Sequence, residues 1–148
     1  WWPADEQLGR VPGLRGWHSV ERFPNAETLP GVLLYRFEAP LFFANARVFE
    51  ERVRALVRAA DPPVEHVVLQ CEAISDIDVT AADVLAELHQ ELKDQGIDLL
   101  FVELRDRLKE LLASYHLHGD VDEGPFYRSV KQALEAVTGQ SFDDLDLP

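Results

Sequence analysis

Ile74–Asp83, ISDIDVTAAD, gathers the side chains of this chain best placed to do chemistry: Asp76, Asp78 and Asp83, with hydroxyls at Ser75 and Thr80. Carboxylates at this spacing can hold a cation or cap a helix, and a hydroxyl can accept a phosphoryl group. An apolar run ends just upstream and an amphipathic run begins just downstream, so the segment joins a strand to a helix. A helix start offers free N–H groups and a positive dipole end, both favourable to an anion. Phosphate on Thr80 would add about two negative charges to a surface there. The carboxylates of Asp76, Asp78 and Asp83 oppose it. The plainer reading is a cap: Asp78 or Thr80 accepts from the first turn, and Thr80-x-x-Asp83 has capping-box spacing with Asp in place of Glu. As a cap, Thr80→Ala costs about 1 kcal/mol. Asp76, Asp78 and Thr80 are therefore the candidate site, with Ser75 weaker because it lies before the aspartates.

Other reactive groups are poorly arranged. Cys71 lies in an apolar strand with no base nearby, which reads as a small buried hydrophobe. His116-x-His118 with Asp120 would need a strand to aim both imidazoles one way, and this stretch reads as a helix end or loop. No phosphate-binding loop, dinucleotide glycine motif, serine elbow or zinc spacing is present. The expectation is a non-catalytic protein with no cofactor and no metal site.

The elements around the decapeptide follow from periodicity. Val32–Glu38 reads as a strand, and Pro40 separates it from LFFAN, a second short strand or a turn. Phe49, Val53, Leu56, Val57 and Ala60 recur at helical spacing, predicting a helix over Ala46–Ala60 that Asp61-Pro62-Pro63 stops. Residues 64–72, VEHVVLQCE, suit a strand buried on both faces. Thr80–Gln95 predicts a second helix closed by Gly96. IDLLFVEL at 97–104 reads as a strand, residues 105–115 as a third helix, and Tyr127–Val137 as a fourth, with room for a short strand before it. Residues 1–31, rich in Gly and Pro, read as a linker or arm with one edge strand near Trp17–Arg22. The division is 1–31 arm, 32–138 domain and 139–148 tail. Alternating strands and helices predict an α/β sandwich, helices packed on a mostly parallel sheet. Its core should hold Leu34, Phe49, Val53, Leu56, Val68, Leu69, Leu85, Leu88, Leu99, Phe101 and Leu134.

With 148 residues, one domain is expected. One cysteine excludes an internal disulfide. The net charge of −13 falls wholly on residues 63–148, since residues 1–62 balance. So acidic a surface repels nucleic acid and anionic lipid. No apolar run is long enough to span a membrane, and no signal peptide is visible. The chain has no methionine and opens Trp1-Trp2-Pro3, which predicts a piece of a larger protein.

The strand, the residues Asp78-Val-Thr-Ala-Ala82 and the following helix resemble the STAS domain, the fold of anti-sigma factor antagonists. That family carries D-S-[ST]-G here, its serine being the usual phosphate acceptor. Asp78 matches the aspartate and Thr80 the second hydroxyl, while Val79 replaces the acceptor and Ala81 the glycine. Residues 8–53, with YRFEAPLFFAN, are similar to the connector and first strands of SulP-type sulfate permeases. DVTAADVL and FYRSVKQALEAV extend the likeness from Leu8 to Val137. The resemblance implies a STAS-like sandwich serving as the regulatory or interaction domain of a bacterial secondary anion transporter. It implies a place on the cytoplasmic face of the inner membrane, joined to the transmembrane domain of the same chain. Homodimerisation of the full-length transporter and a cytosolic regulatory protein are the other partners it admits. The rival readings are a free-standing anti-sigma antagonist-like module and a nucleotide-binding enzyme.

Overall fold

The computed structural model describes residues 5–115, 117 and 125–142. Its elements run in the order β1 (Asp5–Gly9), β2 (His18–Ser19), β3 (Val32–Phe37), α1 (Ala46–Ala59), β4 (His66–Gln70), α2 (Val79–Asp94), β5 (Asp98–Val102), α3 (Asp106–Ala113), β6 (Phe126–Tyr127) and α4 (Val130–Thr138). Six strands form one sheet in the order β2-β1-β3-β4-β5-β6. From β3 to β6 the strands are parallel, and β1 runs antiparallel to β3 and to β2.

Alternation along the parallel strands sends side chains to two cores. Leu33, Tyr35, Phe37, Val67, Leu69, Leu99 and Phe101 meet residues of α1, α2 and α3 on one face. Leu34, Val68, Leu100 and Val102 meet Val130, Ala133 and Leu134 of α4 on the other, together with Leu8, Trp17 and Leu29 of the arm. Strands covered on both faces carry near-continuous apolar runs, which is why VVL in β4 shows no polar alternation. Of the expected core residues, Leu56 alone is half-buried; the rest are buried.

Two local expectations need correction, and one open choice, LFFAN as strand or turn, is decided. The strand Asp5–Gly9 was not foreseen, because two of its five residues are acidic. Their partners supply the explanation: Tyr35 Oη donates to Asp5, Arg52 pairs with Asp5 at 3.1 Å, and Arg36 and Arg22 pair with Glu6. Gly9 is needed at the end of this strand, since a Cβ there would lie 2.7 Å from the Glu27 carbonyl oxygen. LFFAN forms a turn rather than a strand. Asn45 closes it, accepting from the Phe42 N–H at 2.9 Å and donating to the Pro40 carbonyl at 2.8 Å, while Leu41 alone bridges to Ile77. Tyr127 belongs to β6, and α4 starts only at Val130, where the Ser129 hydroxyl accepts from the Gln132 N–H at 3.0 Å. Beyond α4 the chain stays packed as far as Phe142, whose ring lies 5.9 Å from Trp17.

Candidate functional site: the loop leading into α2

The loop after β4 is held from both sides. Ile74 and Ile77 are buried and pin it to the core. Between them Ser75 and Asp76 stay exposed. Asp76 accepts from the Ile77 N–H at 2.9 Å and from Arg107 Nη1 at 3.2 Å, and Arg107 also donates to the Ser75 carbonyl at 3.4 Å. The loop is then stitched to the turn after β3: Leu41 N–H donates to the Asp76 carbonyl at 3.0 Å, and Asp78 N–H to the Leu41 carbonyl at 3.1 Å.

Asp78 is the cap of α2. Its Oδ1 accepts from the Ala81 N–H at 2.8 Å, and its Oδ2 from the Phe43 N–H at 2.9 Å. One carboxylate therefore satisfies a free donor at the helix start and fixes the neighbouring loop. Thr80 is corrected from cap to passenger: it sits exposed in the first turn, inside the helix that Asp78 has already closed. Val79, at the position before it, is 65% exposed. The structure thus brings Ser75, Asp76, Asp78 and Thr80 onto one connection, with Asp78 alone capping α2.

Two residues escaped the sequence reading. Phe43 is 71% exposed beside this loop, and only its place in a Phe-Phe pair at a turn could have hinted at that. Arg107, in the first turn of α3, reaches the loop across thirty-one residues of sequence. Nothing local marks it. A cleft of about 260 Å³ opens at the same end of the sheet, lined among others by Trp17, Arg36, Gln70, Glu103 and Ser129. Gln70 and Arg36 are engaged there: Gln70 donates to Glu103 at 2.9 Å and accepts from the Glu72 N–H at 3.0 Å, while Arg36 pairs with Glu6 and Glu38 outside the cleft.

Cys71 is fully buried and donates its thiol hydrogen to the Leu69 carbonyl at 3.3 Å. Burial pushes its pKa up, away from thiolate chemistry. Among the described residues no cluster of three metal-ligating side chains occurs. His116, His118 and Asp120 lie outside the described residues. No helix among the described residues is long and apolar enough to cross a membrane.

Comparison with known proteins extends this geometry. The STAS domain family model matches residues 23–133. A probable sulfate transporter of Mycobacterium tuberculosis is 35% identical over 134 residues, covering 90% of this chain and 24% of that protein. The chain thus spans about a quarter of the length of this curated relative. Among solved structures, the murine solute carrier 26 family member A9 anion transporter superimposes with a TM-score of 0.80 at 18% identity, covering 94% of this chain and 23% of that one. The STAS domain of a SulP transporter from Vibrio cholerae gives a TM-score of 0.59 at 20% identity, covering 81% and 91%. The family model covers most of the chain, and the chain belongs to the STAS domain family.

Proposed function

We propose that this chain is the cytosolic regulatory or interaction domain of a secondary sulfate or anion transporter of the SulP type, itself non-catalytic. The observation that carries the reading is the 35% identity to a sulfate transporter over 90% of the chain, far beyond the α2 loop alone. On this reading residues 32–138 form the regulatory body, residues 1–31 connect it to the transmembrane domain, and residues 139–148 are its tail. The connector then does structural work as well, since β1 and β2 extend the sheet. The domain lies on the cytoplasmic face of the bacterial inner membrane. The transported anion is sulfate, bicarbonate or a dicarboxylate. The loop of Ser75, Asp76, Asp78 and Thr80 is its regulatory element, working chiefly through the shape that Asp78 imposes rather than through phosphate on Thr80.

A protease-accessibility experiment tests the placement. In membranes from the native cell, the domain should sediment with the membrane fraction. It should be digested by protease added to inside-out vesicles and spared in right-side-out ones. Recovery in the soluble fraction, at full length, would overturn the reading in favour of a free-standing module.

A further inference from the structure

Among the described residues, the large hydrophobic side chains left exposed include Phe43 at 71%, Val79 at 65% and Leu14 at 45%. The first two belong to one patch. Phe43 N–H is bonded to Asp78, and Val79 is the next residue in the chain. Phe43 meets the Phe42 ring edge-on at 5.7 Å, yet it and Val79 leave most of their surface in water. Such residues mark contact surfaces when they cluster.

Carboxylates outnumber cations around them. Residues 71–83 contain four carboxylates, Glu72, Asp76, Asp78 and Asp83, and no Lys or Arg. Asp83 follows Val79 by one helical turn and so shares its face of α2. Arg107 engages Asp76 from α3, and Arg47 on α1 is taken up by Glu50 and Glu87. A partner suited to this surface has an apolar anchor flanked by basic residues. A second copy presenting the same acidic patch would be repelled.

The path of the chain points to the partner. Asp5 pairs with Phe37, so the chain enters the sheet at the carboxyl end of β3. The Leu41–Asn45 turn and the Ile74–Asp78 loop lie at that same end, joined by the Leu41–Ile77 bridge. Leu14 lies beyond the other end of β1, past Gly9. We propose that Phe43 and Val79, with their acidic surround, dock against the cytoplasmic face of the transporter's own membrane part. This rests on the transporter reading above. Cytoplasmic loops of membrane proteins carry an excess of Lys and Arg, which complements the carboxylates.

The test uses the full-length protein in its membrane, with a photo-reactive benzoyl-phenylalanine replacing Phe43 or, as control, Leu14. Irradiation should cross-link position 43 to a basic peptide of the membrane part, identified by mass spectrometry. The yield should exceed that from position 14 by about tenfold, the difference that about 1.4 kcal/mol of preferential contact gives. Val79→Asp, a substitution that suits a helix start, should lower the cross-link yield at position 43 without unfolding the domain. Equal yields at 43 and 14, or cross-links only to a second copy or to a soluble protein, would overturn the proposal. Uptake of sulfate by the same protein separates the two levels. Uptake without the cross-link sinks the docking surface alone, whereas a protein that neither transports nor sediments with membranes sinks both.

Discussion

The two ends of the parallel strands are built differently. At the amino ends the chain turns through backbone: Gly31 and Gly96 take φ of 79° and 77°, and Pro62 and Pro63 precede β4. At the carboxyl ends it turns through side chains. Asn45 closes the turn before α1, Asp78 caps α2 and Ser129 caps α4. One end is held by conformations that glycine and proline supply, the other by polar groups reaching across loops. The second kind of construction tolerates exposed residues such as Phe43 and Val79 and holds them in fixed positions. Ligands of open α/β sheets bind outside the carboxyl ends of the strands, the end where these residues lie.

Substitutions can break or sharpen this contrast. The sheet between the two ends sets the scale: Leu69→Ala, in the central strand, should cost about 2–5 kcal/mol by chemical denaturation. At the carboxyl end, Asp78→Ala removes the acceptor of both the Ala81 and Phe43 N–H groups and should cost about 2 kcal/mol. Asp78→Asn keeps one acceptor oxygen and should lose about half of that. If Asp78→Ala were neutral, the carboxyl end would not depend on its side chains. Tyr35→Phe removes the hydroxyl donor that ties β3 to Asp5, while Arg52 still pairs with the carboxylate; a loss of about 1 kcal/mol is expected. The smallest effects come from one exposed threonine at each end. Thr80→Ala and Thr28→Ala should both stay within about 0.5 kcal/mol. A larger loss for Thr80→Ala alone would restore its capping role.

Legibility in the sequence divided along physical lines. Helices α1 and α2 announce themselves by an apolar period of helical spacing, and strands β4 and β5 by short continuous apolar runs. The α2 loop was legible as a cap because Asp and Thr precede an amphipathic run, yet the choice between Asp78 and Thr80 was not. Asp78 also accepts from the Phe43 N–H, thirty-five residues away, a contact that no local pattern reveals. Strand β1 was hidden because its acidic residues are neutralised by Arg52, Arg36 and Arg22, partners that only the folded chain assembles. Exposure of Phe43 was equally silent, since apolar composition at a turn does not say which way a ring points.

Transport itself is the most direct test: uptake of radiolabelled sulfate by the full-length protein in proteoliposomes, with bicarbonate and a dicarboxylate as competitors. Saturable uptake is expected, inhibited by whichever of these anions is the natural cargo if it is not sulfate, and changed in rate when residues 32–138 are removed. A full-length protein that carries none of the three anions, or whose transport is indifferent to loss of the domain, would contradict its assignment as the regulatory part of an anion transporter.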